Sequence, residues 1–174
     1  MRVIGGEFRS RRLKSLPGLE TRPTPDRLRE ALFNVLATRI DDCVFLDVYA
    51  GTGAVGIEAL SRGARRCVFI EKSRRAVEVI HENLATLGLE SRAEVFASKA
   101  AAVLERMRVD IAFLDPPYEI SKEYDAAMSA LDRSETPLVI VQHSSRFTPL
   151  EECGHLRLYR VIKQGDNSLS FYER

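Results

Sequence analysis

Hydrophobic and polar positions along this chain change rhythm as it proceeds. In "RVIGGEFRSRRLKS" (2–15) the apolar residues Val3, Ile4, Phe8 and Leu13 punctuate a polar run around Gly5-Gly6, which predicts a short hairpin. "LPGLETRPTP" (16–25) has no period and reads as a loop. Thr24, Pro25 and Asp26 then supply a cap, a first helical residue and a first-turn acid, and Leu28, Ala31, Leu32, Val35 and Leu36 give one apolar helical stripe.

From residue 43 continuous apolar runs alternate with helical patterns. "CVFLDVYA", "RCVFIEK", "AEVFAS", "VDIAFLDPP" and "PLVIVQHS" read as five strands. Between them fall helices at "AVGIEALSRG", "RRAVEVIHENLATLG" and "KEYDAAMSALDR", with a short helix around "KAAAVLERM". "LRLYRVIKQ" and "SLSFYER" predict a closing antiparallel pair joined across Gly165-Asp166-Asn167. Apolar strands separated by helices build an α/β fold: a mostly parallel sheet with helices on both faces. Ligands of such sheets bind beyond the carboxyl ends of the strands. That edge collects Asp47 to Gly53, Glu71, Ser98 and Asp115 to Tyr118.

Composition narrows the class. With 174 residues, 45% hydrophobic and 29% charged, the chain is a one-domain globular protein, not a disordered or membrane-spanning one. No apolar signal core opens it, so a cytoplasmic location is expected. Cys43, Cys67 and Cys153 are far apart, and His81, His143 and His155 have no ligand spacing; no disulfide framework or metal site is expected. Net charge is only +1, yet residues 1–40 hold nine Arg or Lys (Arg2, Arg9, Arg11, Arg12, Lys14, Arg22, Arg27, Arg29, Arg39) against Glu7, Glu20, Asp26 and Glu30. Such a patch suits a polyanion as well as it suits a merely solvated face.

Gly51, Gly53 and Gly56 spell G-x-G-x-x-G after the first strand, and Glu71 follows Gly51 by 20 residues at the end of the second. Glycines let a backbone approach an adenosine ligand, and the carboxylate can accept ribose hydroxyls. Both a dinucleotide and a smaller adenosine cofactor satisfy this much. Asp47 repels a pyrophosphate but attracts the sulfonium and ammonium of S-adenosylmethionine. "FLDPPYE" (113–119) decides. Asp115 and Pro116 both precede a proline and are held extended, and prolines donate no N–H. The loop therefore offers acceptors, the Asp115 carboxylate and the Pro116 carbonyl, stiffened by Pro117 and followed by the aromatic face of Tyr118. Two acceptors can grip a nucleobase amino group while the ring stacks on the base. A base-amine clamp beside an adenosine pocket implies methyl transfer from S-adenosylmethionine.

With these motifs the sequence resembles the RsmD family of bacterial 16S rRNA (guanine-2-amino) methyltransferases. The likeness runs through "RVIGGEFRSRRL", "TRPTPDRLREALFNVL", "LDVYAGTGAVGIEALSRGA", "FIEKSRRAVEVIHENLATL", "IAFLDPPY" and "LSFYE". It implies a Rossmann-like class I methyltransferase fold with a seven-stranded sheet whose last strand is antiparallel. Residues 1–23 would form a basic hairpin-and-loop extension and 24–174 the methyltransferase domain. It implies S-adenosylmethionine held by Asp47, Tyr49, Ala50, Gly51, Thr52, Gly53, Glu71, Lys72 and Ser98, the last standing where such enzymes often carry Asp or Asn. The target amine would meet Asp115, Pro116, Pro117 and Tyr118. Arg9, Arg11, Arg12, Lys14, Arg22 and Arg27 would contact 16S rRNA, within an assembled or assembling small subunit, with the enzyme acting as a monomer. Rivals are a DNA adenine or cytosine amino-methyltransferase, a non-catalytic RNA-binding module on the same fold, and a NAD-dependent oxidoreductase, for which only His143 approaches the ligand edge.

Overall fold

The computed structural model describes residues 1–16, 26–116 and 121–174. Four helices, α1 (Asp26–Leu36), α2 (Ala54–Ser61), α3 (Arg74–Leu87) and α4 (Ser121–Arg133), surround strands β1 (Val44–Val48), β2 (Arg66–Glu71), β3 (Ala93–Ala97), β4 (Ile111–Leu114), β5 (Leu138–Ser144), β6 (Glu152–Cys153), β7 (Leu156–Gln164) and β8 (Asn167–Glu173). The strands form one sheet in the order β3-β2-β1-β4-β5-β8-β7-β6. The first five are parallel and β8 enters antiparallel beside β5. The expected seven strands are therefore joined by an eighth. It is the two-residue β6, which pairs only with the first residues of β7 and is too short to carry a periodic signal.

Alternation along the strands splits the core in two. Phe45, Cys67, Phe69, Ile111 and Phe113 face α1, α2 and α3, whereas Leu46, Val68, Ile70, Ala112 and Leu114 face α4. The α1 stripe buries Leu28, Leu32 and Leu36 as expected, and adds Phe33 and Arg29. The expected cap of this helix at Thr24 and Pro25 lies outside the described residues. α3 starts at Ser73, whose hydroxyl accepts the Ala76 N–H, and ends at Gly88 in the left-handed region.

Two expectations are corrected and a third is made more definite. The segment "KAAAVLERM" is not one helix but two 3-10 turns, Ala100–Ala102 and Leu104–Arg106, separated by Val103 at φ −127°. Ala100 and Leu104 are both buried in the core beneath the sheet. β3 is not covered on both faces. It is an edge strand with half-buried and exposed positions. The N-terminal hairpin is present but short, an Arg2–Arg12 bridge flanked by hydrogen bonds from Val3 N–H to the Arg11 carbonyl (3.0 Å), Ser10 N–H to the Val3 carbonyl (2.9 Å) and Leu13 N–H to the Met1 carbonyl (3.0 Å), with turns and bends filling residues 5–10. It stays short because α2 takes the donors of residues 4–8. The buried Glu58 carboxylate accepts the N–H groups of Ile4 and Gly5, both at 2.8 Å. Ser61 accepts Phe8 N–H on its hydroxyl (2.9 Å) and Glu7 N–H on its carbonyl (2.8 Å). Val3 and Leu13 complete the docking by entering the core of α1 and α2. Residues 1–16 thus pack as part of the domain, and the expected boundary at 23/24 falls outside the described residues.

Candidate active site

The carboxyl ends of β1, β2, β3 and β4 lie side by side, because Asp47 pairs with both Phe69 and Phe113 and Glu71 pairs with Ala97. The chain leaves β1 through Tyr49, which holds a positive φ of 65°, a conformation that costs a tyrosine roughly 1 kcal/mol or more. The turn lets Ala50 N–H reach the Ile70 carbonyl at 3.1 Å. Gly51 follows at φ 57°, and a side chain there would meet nothing within 4 Å. The space above it is open, as a ligand-approach position requires. Gly53, at φ 78°, opens α2.

Glu71 ties this loop to β2. One carboxylate oxygen accepts Gly51 N–H at 2.9 Å and the other accepts Ser73 N–H at 2.8 Å. A carboxylate has about four acceptor sites, so both oxygens keep capacity for hydroxyl donors. From beneath, Asn83 donates to the Thr52 carbonyl at 3.1 Å. Asp47 plays a different part from the one the sequence suggested. Its side chain is 2% exposed and turned under the loop, where it accepts the Gly56 N–H at 2.8 Å. Burial pushes this carboxyl well above the usual range, the Gly56 N–H opposes that, and Asp115 and Glu71 push it further up. It organises the first turn of α2.

Gly56 explains why the third glycine of the motif is there. A Cβ at this position would stand 2.3 Å from the Phe69 ring and 2.6 Å from the Cys67 sulfur. The close approach of α2 to β2 thus requires glycine.

A cleft of about 310 Å³ opens between the ends of β2 and β3 and the flank of α4, lined by Tyr49, Lys72 and Ser98 together with Ile70, Lys99 and Glu123. Tyr49, Lys72 and Ser98 were expected here; the others carried no sequence signal, since they meet only through the packing of α4 on the sheet. The Tyr49 phenol is pushed up to about 12 by burial and by Glu123. The Ser98 hydroxyl donates to the Lys99 carbonyl at 3.3 Å, and the Ser98 N–H is held by the Glu71 carbonyl at 3.1 Å.

Asp115 leaves β4 beside β1, its N–H donating to the Val48 carbonyl at 3.4 Å, and Pro116 after it is buried. Pro117 and Tyr118 lie outside the described residues. Asp47, Glu71 and Asp115 are close enough for the latter two to act on the first. Open space over Gly51, with Glu71 on the loop and Asp115 at the end of β4, fits a cationic adenosine cofactor, S-adenosylmethionine. Glu71, the Gly51–Gly53 backbone and the cleft residues Ile70 and Ser98 are the groups that could hold it. Among the described residues no group of three or more His, Cys, Asp or Glu side chains could hold a metal ion. Nor, among the same residues, is any helix long and apolar enough to cross a membrane.

The basic residues of the N-terminus are dispersed. Arg9, Arg11, Arg12 and Arg27 are exposed, but Arg29 is fully buried, donating to Asp26 (2.8 Å) and to the Arg2 carbonyl (2.9 Å). It does not belong to the surface charge counted from the sequence. The turn preceding Arg9 sits against Ser61, and Glu7 pairs with Arg92 at 3.9 Å, at the amino end of the parallel strands. Lys14 lies nearer the loop: Asn83 joins its backbone to Thr52, and its amine pairs with Glu82. Arg22 lies outside the described residues.

Strand order, glycine turn and the Asp-Pro step at the end of β4 define a Rossmann-like class I methyltransferase fold. The solved structure of the Escherichia coli protein yhhF, named as a candidate methyltransferase, superposes with a TM-score of 0.89 at 34% identity, over 100% of this chain and 97% of that one. The chain belongs to the RsmD family: the family model described as "Conserved hypothetical protein 95" matches residues 1–173. The Bacillus subtilis protein YlbH, named as a candidate rRNA methyltransferase, is 33% identical over 183 residues, spanning 100% of this chain and 99% of that protein. Ribosomal RNA small subunit methyltransferase D of Escherichia coli is 45% identical over 122 residues, which span 68% of this chain and 60% of that protein.

Proposed function

We propose that this protein methylates the exocyclic 2-amino group of a guanine in 16S rRNA, using S-adenosylmethionine. The observation that carries the reading is the Asp115–Pro116 step, set beside the Gly51–Gly53 loop in a chain of this family. The cofactor supplies a methyl group on a sulfonium, which departs as a neutral thioether. Glu71 and the glycine-loop backbone hold the adenosine, and the acidic surroundings of Asp115 favour the cationic end. The Asp115 carboxylate and the Pro116 carbonyl accept the two N–H bonds of the guanine amine and draw its nitrogen toward a tetrahedral, nucleophilic form. As the nitrogen gains its bond to the methyl carbon, these acceptors stabilise the positive charge it acquires. The amine then loses one proton, to Asp115 or to water. Pro117 and Tyr118 complete the clamp, Tyr118 by stacking on the base. Most of the acceleration comes from positioning the amine against the methyl group.

Arg9, Arg11, Arg12, Arg22 and Arg27, with Lys14, belong to the RNA-facing surface in this reading. The substrate is the rRNA of an assembled or assembling small subunit, met in the cytoplasm by a monomeric enzyme. The test is transfer of tritiated methyl to small subunits lacking the modification, to naked 16S rRNA and to duplex DNA, with nucleoside analysis. Label in 2-methylguanosine from subunits or rRNA supports the reading. Label in DNA adenine or cytosine refutes it in favour of a DNA amino-methyltransferase, and cofactor binding without label on any substrate refutes it in favour of a binding scaffold.

A further inference from the structure

The sheet does not end at the clamp. Leu114 pairs with Val141, so Asp115 and Pro116 emerge beside Gln142 and His143 of β5, one strand spacing away. β5 is followed by an irregular stretch to β6 that carries no helix, 145–151. Its start is fixed. Ser145 N–H donates to the Asp166 carbonyl at 2.9 Å, tying it to the β7–β8 turn, and Phe147 N–H donates to the Ser144 carbonyl at 3.0 Å. The Phe147 ring is braced edge-on by Tyr124 of α4 (5.2 Å between centroids) and at a tilt by His143 (5.3 Å). His143 is itself held between the Ser144 carbonyl (2.8 Å) and the Ser170 hydroxyl (2.7 Å).

This well-anchored aromatic nevertheless leaves 37% of its surface in water, as do Leu150 (40%) and Val161 (40%) nearby in sequence and sheet. Exposed cations accompany it. Arg146 precedes it, and Lys163 stands in the row His143–Ser168–Lys163 across β5, β8 and β7, close enough to act on His143. Asp166, in the turn, and Glu151, at the end of the stretch, are exposed carboxylates on this side. A rigid, partly exposed ring flanked by two cations at the ligand edge of a sheet matches single-stranded nucleic acid, whose bases stack and whose phosphates are anionic.

We infer that Phe147 stacks a nucleobase flanking the target guanine, and that Arg146 and Lys163 hold the phosphates of that strand. This surface deepens the proposed RNA methylation and rests on it. It also gives the RNA a contact on the clamp side of the sheet, where the turn before Arg9 cannot reach.

The experiment measures binding of a single-stranded guanine-containing RNA oligonucleotide by fluorescence anisotropy. The proteins are wild type, Phe147→Ala, Phe147→Leu, Phe147→Trp and Lys163→Glu, with cofactor affinity as a folding control. Phe147→Ala and Phe147→Leu should weaken RNA binding roughly 5- to 150-fold, the range of one lost base stack, with Phe147→Trp close to wild type and cofactor affinity unchanged. Lys163→Glu should weaken it and flatten its salt dependence. Phe147→Leu retains apolar packing on Tyr124 and His143, so equal loss in Leu and Ala variants assigns the effect to the ring's face. Binding by Phe147→Ala within twofold of wild type overturns the inference. So does weakened association with whole small subunits alongside unchanged RNA binding, which would make this a protein-docking face. Methyl transfer by the wild type and by Phe147→Ala is measured in parallel. RNA binding that depends on Phe147 without any transfer refutes the proposed activity and leaves this surface standing. Transfer that is indifferent to Phe147 refutes this surface alone.

Discussion

Replacing Glu58 by alanine tests how the N-terminal segment is held. Glu58 lies inside α2 with no exposed surface. Its two oxygens accept Ile4 N–H and Gly5 N–H at 2.8 Å each, and one also accepts Arg62 Nε at 2.7 Å. Its charge further supports the buried Arg29, whose guanidinium is lowered by burial and raised by Glu58 and Asp26. Glu58→Ala removes the anion and leaves two backbone donors and a buried cation behind. Breaking such a buried pair costs about 3–5 kcal/mol. For a chain of this size that is a fall in Tm of roughly 6–20 °C. Glu58→Gln keeps the shape but turns an amide donor toward a backbone donor, and should cost about 1–3 kcal/mol. The assay is denaturant and thermal unfolding, with amide hydrogen exchange read at Ile4 and Gly5. A Glu58→Ala protein within about 1 kcal/mol of wild type, with those two amides still protected, would refute this account of how the N-terminal segment is held.

Five further outcomes are expected. Gly56→Ala should cost about 1–3 kcal/mol in denaturant unfolding through overpacking against Phe69 and Cys67. Gly51→Ala, with open space but a positive φ, should cost about 1 kcal/mol and weaken cofactor binding in calorimetry more than it weakens the fold. Asp115→Ala should abolish methyl transfer while cofactor affinity stays within a few-fold; transfer at the wild-type rate would sink the clamp. Charge reversal of Arg9, Arg11 and Arg12 to Glu should weaken RNA binding and reduce its salt slope, and unchanged binding would move the RNA surface toward Phe147. His143 is lowered from its ordinary 6.5, by burial first and then by Lys163, against the Ser144 carbonyl. The unfolded chain therefore binds the extra proton first, and stability should fall as pH drops below about 6.5. Tm followed from about pH 7.5 to 5.5 should show this slope reduced in His143→Gln, and an identical slope would exclude His143 as its source.

Much of the fold could be read from the order of residues because it depends on local patterns. The apolar runs at 44–48, 66–71, 111–114 and 138–144 became the parallel strands, and Ser73 and Gly88 bounded α3 where capping chemistry required. The cofactor edge was legible for the same reason: once strands alternate with helices, chain direction alone brings residues 49–53, 71, 98 and 115 to one side of the sheet. What the sequence could not decide is what each of those side chains touches. Asp47 reads as a ligand group, yet strand alternation turns it beneath the loop to cap α2. Arg29 counts as surface charge, yet a helix face buries it completely. Glu58, a carboxylate inside the apolar run "AVGIEALS", is the one visible hint that something polar docks there, but its partners are 53 and 54 residues away. Periodicity reports which face is covered. Only the tertiary packing determines by what, because the desolvated charges and the close backbone approach at Gly56 are set by neighbours distant in the chain.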